Sequence, residues 1–221
     1  GENVGLMRDS GLTVSAVNVN LKGEDVFRAG SFTNPDEGVR KRAIDYMKRA
    51  MDISADFGAN MISVCPLIDG CDHAFHVNHI DQWRWSIEAF EEVASHNKGV
   101  KVSIEYKAYE VRNRIILPSM GRTLHFCERV GANNVGVTMD LGHALIENES
   151  PAAELAIAFD AGRLFYVHFN DNNRQADWDM PVASVNLWDT LETIHYMDSL
   201  GYDGWIAYDV FTRAGDGREA I

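Results

Sequence analysis

The 221-residue chain is 46% hydrophobic and 24% charged, a globular composition with length enough for one large α/β domain. Its 33 acidic and 20 basic side chains leave a net charge of −13, which argues against nucleic-acid or anionic-membrane partners but says nothing of a local pocket. No apolar run approaches the roughly 20 residues that cross a bilayer, and GENVGLMRDSG at the amino terminus lacks the basic-then-apolar order of a signal peptide. Cys65, Cys71 and Cys127 form no CxxC pair and fit a reducing compartment, so the expected location is the cytoplasm.

In chain order, the first residues read as the end of a helix, and LTVSAVNVN (12–20) reads as a strand. Residues 34–58 predict a helix with Asn34 as cap, Pro35 in the first turn and Gly58 as stop. MISVCPL (61–67) is the next strand, followed by a helix at 79–97 and a strand at VKVSIEY (100–106). A helix at 119–131, the strand VGVTMD (135–140), a helix at 150–162 and the strand LFYVHFN (164–170) continue the alternation. A helix at 187–201 and the strand GWIAYDV (204–210) complete it. The strands are near-continuous apolar runs, as expected of parallel strands covered on both faces. Regular strand–helix alternation implies right-handed βαβ crossovers and one parallel sheet, with residues 1–221 as a single domain. No G-x-G-x-x-G follows the first strand, so the dinucleotide-binding open sheet lacks its fingerprint. The expected fold is an α/β (β/α)8 barrel. Six strands are legible instead of eight, so the first strand and the last βα unit are expected to be absent from this sequence.

The barrel expectation rests on four polar strand ends: Glu105, Asp140, His168 and Asp209 close four successive strands. A barrel gathers such ends into one ring, the face on which barrel active sites form. Each residue alone has an ordinary explanation: Asp140 could cap the following turn, Glu105 could pair with Lys107, and His168 could be a satisfied core imidazole. Together they make a carboxylate–imidazole donor set that suits Mn²⁺, with Mg²⁺, Co²⁺ or Zn²⁺ also compatible. His143, Asp177 and Asp179 surround that set and could hold a second ion, or be a substrate contact and two solvated acids. Lys107 shares the strand face of Glu105 and could stabilise an oxyanion. Arg174 could bind sugar oxygens or a phosphate, and Glu110 with Arg112 could orient these groups or form a surface pair. His73, His76 and His79 read as a substrate-facing loop more readily than as zinc ligands. Trp83 and Trp85 lie two apart on a helix and cannot share one core face. Trp178 and Trp188 could wall a sugar site or pack in the core.

The segments EYKAYEVR (105–112), MDLGH (139–143), HFNDNNRQADWD (168–179) and GYDGWIAYD (201–209) resemble the xylose isomerase-like TIM-barrel superfamily of sugar isomerases and epimerases over residues 12–212. The resemblance implies Glu105, Asp140, His168 and Asp209 as metal ligands and Lys107 beside the substrate's O1. It implies Glu105 or Asp209 as the catalytic base, and His143 and Arg174 as substrate contacts. It implies Asp177 and Asp179, with His143, as a second-metal set. Aspartate at 209, where the ketose 3-epimerases carry glutamate, favours aldose–ketose isomerisation. Epimerisation at C3, the catalytic subunit of a C-glycoside deglycosidase with its small partner subunit, and a non-catalytic sugar-binding barrel are the alternatives. The relatives imply a homodimer or homotetramer.

Overall fold

The computed structural model describes residues 10–110 and 112–211, so the helix end expected at the amino terminus lies outside the described residues. In chain order the elements are β1 (Val17–Asn18), α1 (Glu37–Asp56), β2 (Met61–Val64), β3 (Gly70–Cys71) and α2 (His79–His96). There follow β4 (Lys101–Glu105), β5 (Tyr109–Glu110), β6 (Asn113–Ile115), α3 (Met120–Val130) and β7 (Val135–Asp140). The last are α4 (Leu141–Ile146), α5 (Pro151–Asp160), β8 (Leu164–Phe169), α6 (Leu187–Leu200) and β9 (Trp205–Tyr208).

The main sheet has the order β1-β2-β4-β7-β8-β9, with every neighbouring pair parallel. Strands are added in one direction with no reversal, whereas a doubly wound sheet reverses at a switch point. Right-handed crossovers in a constant direction put the helices on one face and curl the sheet towards the other. The chain is an α/β protein of the TIM-barrel class, and its described residues supply six of the eight strands a closed barrel requires. A small antiparallel sheet, β3-β6-β5, lies beyond the strand ends. It escaped the sequence reading because each of its strands is only two or three residues long.

The central strands β2, β4 and β7 are buried on both faces, whereas β9 at the sheet edge is largely exposed; the two buried faces differ. Ile62, Val64, Val102, Ile104, Val135, Val137, Met139 and Val167 pack against Met47, Met51, Phe90, Phe126 and Leu155 of the helices in one apolar core. Full burial of each such side chain stabilises by roughly 1.5–3 kcal/mol. The alternate positions are small and polar: Ser63, Ser103 and Thr138 face inward, with Ser103 and Thr138 hydroxyls 2.6 Å apart. That inward row continues to Glu105 on β4, Asp140 on β7 and His168 on β8.

A register shift sets this alignment. Val137 pairs with Leu164 but Thr138 pairs with Tyr166, so Phe165 is bulged out and Asp140 falls opposite His168. Without the bulge Val167 would face Asp140. Gly136 makes room for it, since a Cβ there would lie 2.5 Å from both the Arg163 carbonyl and the Phe165 ring.

Two boundaries correct the sequence reading. The first helix begins at Glu37, capped by Asp36, whose carboxylate accepts from the Gly38 N–H. Asn34 instead donates to the Gly30 carbonyl and accepts from the Asp36 N–H, closing the turn before the helix. The strand expected over 12–20 is reduced to Val17–Asn18, the stretch that pairs with β2.

Candidate metal centre

Glu105 ends β4, Asp140 ends β7, His168 is the penultimate residue of β8 and Asp209 follows β9. One donor atom from each lies within 4.8 Å of all the others. His168 Nδ1 is 3.3 Å from Glu105 Oε1 and 3.8 Å from both Asp140 Oδ2 and Asp209 Oδ2. Asp140 combines the two roles its position allowed. Its Oδ1 accepts the His143 N–H at 2.8 Å and so caps α4, while Oδ2 faces His168.

Asn170, two residues beyond His168 on the same face, donates to Asp140 Oδ2 at 3.0 Å and fixes that carboxylate. The sequence reading passed over it, although the period-two pattern of β8 places it beside the site. Gly142 permits this approach, since a Cβ there would lie 2.2 Å from Asn170 Oδ1. A cavity of about 230 Å³ opens above the cluster, lined by Glu105, Lys107, His143, Asp177, Asp179 and Asp209 with Asn18, Asn20, Lys22 and Cys65. Cys65, Glu105 and His143 form a second set of donors within 4.8 Å of one another. Lys22 and Cys65 had no signal in the sequence, because only the loop paths bring them here.

His143 Nδ1 donates to the Tyr106 carbonyl at 2.9 Å and Nε2 to Asp177 Oδ2 at 3.3 Å. Lys107 Nζ donates to Asp177 Oδ2 at 2.8 Å and to Glu110 Oε2 at 2.5 Å, and Glu110 also pairs with Lys22. Asp177 Oδ2 therefore already faces two cationic donors. His143, Asp177 and Asp179 are brought to one pocket, but among the described residues these three do not form a set of donors converging within 4.8 Å; His143 converges with Cys65 and Glu105 instead.

Arg174 lies elsewhere. Its guanidinium binds Asp189 at 2.9 Å and Asn186 at 3.2 Å, and it does not line the cavity. Arg112 pairs with Asp72 at 2.8 Å. Trp178 is half exposed and donates to Asn173, and Trp188 is exposed on α6. Trp83 packs edge-on against Phe126, while Trp85 lies under the Arg40 guanidinium. The rings of His73 and His76 meet edge-on at 5.4 Å and line a neighbouring cavity.

The electrostatics show too much negative charge for the cations at hand. Burial disfavours a charged imidazole at His143, yet Asp140, Asp177 and Glu105 raise its pKa to about 10. His168 is raised against burial by Glu105, then Asp140 and Asp209. Burial lifts Asp140 to about 6 against the pull of His143, and lifts Asp179 to about 7 with help from Asp177 and Asp209. At Glu105 burial is outweighed by His168 and His143, which hold the carboxyl below its ordinary range. A divalent cation would meet the same imbalance and release protons from the cluster on binding. The donor set fits such an ion: three of its four residues are buried, and hard oxygens are combined with one imidazole.

A barrel with a carboxylate–imidazole cluster at the carboxyl ends of its strands defines the class of protein. The particular family is the xylose isomerase-like TIM barrel, to which the chain belongs: the family model matches residues 2–221. The chain is 27% identical over 219 residues to the xylose isomerase of Thermus thermophilus and 26% identical over 221 residues to that of Thermus caldophilus. It spans 57% of the length of each, and each match covers 96% of this chain. Among solved structures it superposes on a D-tagatose 3-epimerase-like protein with a TM-score of 0.77 and 18% identity, over 94% of this chain and 74% of that one. It superposes on the 3-keto-D-glucoside 4-epimerase of E. coli with a TM-score of 0.73 and 17% identity, over 98% and 78% of the two chains. These structures share its fold. No helix among the described residues is long and apolar enough to cross a membrane.

Proposed function

We propose that the protein is a divalent-metal-dependent sugar isomerase that interconverts an aldose and a ketose between C1 and C2. The observation that carries this reading is the convergence of Glu105, Asp140, His168 and Asp209 within 4.8 Å beside the Lys107 ammonium. These four would hold the ion, Mn²⁺ fitting best, which would polarise the substrate carbonyl and acidify an adjacent hydroxyl.

The chain's own residues supply the rest. Lys107 stays charged, since Asp177 and Glu110 outweigh its burial, so it serves as a donor to a sugar oxygen and not as a base. His143 is fixed by Tyr106 and Asp177 and presents its edge to the same cavity for a substrate hydroxyl. Asp209 is the least constrained carboxylate and is drawn upward by burial and by Glu105, which suits it to accept and return a proton at C1 or C2. Glu105 would serve there only if displaced from His168. Arg174 would reach the far end of the sugar only by leaving Asp189.

Epimerisation at C3 is the second reading, favoured by the fold shared with the D-tagatose 3-epimerase-like protein. We place the protein in the cytoplasm on its free cysteines. We also propose self-association as a dimer or tetramer, supported by the exposed apolar residues Leu187, Leu191 and Ile194 along α6. The test is turnover of aldoses and ketoses by the full-length protein with Mn²⁺ and with EDTA, read by NMR of the products. Metal-dependent C1–C2 isomerisation is expected. A C3 epimer as sole product favours the second reading, and turnover indifferent to EDTA overturns both.

A further inference from the structure

Beside the metal pocket lies a larger cavity, of about 630 Å³, that the isomerase reading does not use. It is within the range of about 300–1,000 Å³ typical of small-molecule sites, whereas the metal pocket at about 230 Å³ has room for little more than one small sugar. The two meet at Leu67, which lines both, and at Glu110, which lines the large cavity and bonds Lys107 and Lys22 of the small one.

The walls are built by buried hydrogen bonds. The fully buried Asp69 carboxylate accepts from the Ser31 N–H, the Thr33 N–H and the Thr33 hydroxyl, each at 2.8 Å, and pins the loop that carries one wall. Gln82 donates to the Gly70 carbonyl at 2.8 Å and Asn113 to the Leu67 carbonyl at 2.9 Å, tying the opposite walls together. The lining is amphipathic. Leu67, Ile68, Val77 and Trp85 give an apolar surface, and the Arg28 guanidinium has no partner among the described residues. Apolar faces with a few hydrogen-bonding groups match a ring with C–H faces and polar edges.

We propose that the substrate is a reducing disaccharide, with the sugar that carries the free C1 at Glu105 and His168 and the second ring in this cavity. The inference rests on the sugar reading above and specifies its substrate class. The experiment is calorimetric binding to the Mn²⁺-loaded full-length protein of matched probes, each disaccharide carrying its parent at the free reducing end: D-glucose against cellobiose and against lactose, D-xylose against xylobiose. In at least one set the two-ring probe should bind ten-fold or more tighter than its parent. Val77→Trp, which fills the cavity, should abolish that advantage while leaving the monosaccharide's affinity and the metal content unchanged. Arg28→Ala, on an exposed side chain with no partner among the described residues, should reduce it by several-fold without lowering the melting temperature. Monosaccharide binding with no two-ring advantage, or an advantage untouched by Val77→Trp, overturns the inference and leaves the isomerase reading standing. Absence of any metal-dependent sugar binding overturns both.

Discussion

Asp140 and Asp209 are both carboxylates at strand ends, yet the molecule treats them oppositely. Asp140 is fully buried between two central strands and its oxygens accept from the His143 N–H and the Asn170 amide. Asp209 follows a strand with one partner among the described residues; its side chain is 55% exposed, and its carboxylate accepts no hydrogen bond among them. The difference teaches a division of labour. A ligand fixed from several sides sets the geometry of an ion, while one free to move can exchange a proton.

The comparison breaks most directly at the fixed end. Asp140→Ala removes a donor and a helix cap together, and His168→Ala removes the imidazole. Either should lower metal affinity by more than 100-fold, beyond the 10–100-fold typical of an orienting partner, as read by metal content after dialysis. Asp209→Asn should act differently, with metal largely retained and turnover reduced by about 10²–10⁴-fold, the range of a lost acid–base group. If Asp209→Asn loses its metal as completely as Asp140→Ala, the proposed division of roles is wrong. Asn170→Ala should show an intermediate effect, a roughly 10–100-fold loss in metal affinity with little change in melting temperature.

The smallest effect concerns a carboxylate outside the site. Burial raises Glu149 to about 7, above its ordinary value near 4.5. The folded form thus binds the proton more tightly than the unfolded chain, so this group's contribution is fully present below about 4.5 and is lost as pH rises through about 7. Glu149→Gln should therefore gain melting temperature relative to the parent between pH 5 and pH 8, with metal binding unchanged. A constant difference across that range would contradict the assignment.

Much of this was legible in the sequence. VGVTMD matches β7 residue for residue, because β7 is flanked by strands on both sides and buried throughout. LTVSAVNVN overran β1, since β-branched residues favour extension but a strand also needs a partner. The inward row looked continuous with the apolar one because Ser, Thr, Gly and Cys are small enough to blur the alternation. The four strand-end donors were readable from position alone. The Phe165 bulge that brings His168 level with Asp140 was not, since it depends on the packing of one ring over Gly136. Both readings open to Asp140, cap and ligand, are compatible in the structure: Oδ1 caps the helix and Oδ2 is left facing His168. The partners of the Arg174 guanidinium were not legible, because its sequence neighbours do not reveal Asp189 and Asn186 closing around it.

The central claim is that the four strand ends form one metal site. Calorimetric titration of Mn²⁺ into the metal-stripped full-length protein, repeated in buffers of different ionisation enthalpy, tests it most directly. The account predicts one ion per chain with proton release, lost in His168→Ala and kept in Asp177→Asn. Absence of binding, or binding indifferent to His168→Ala, would contradict it.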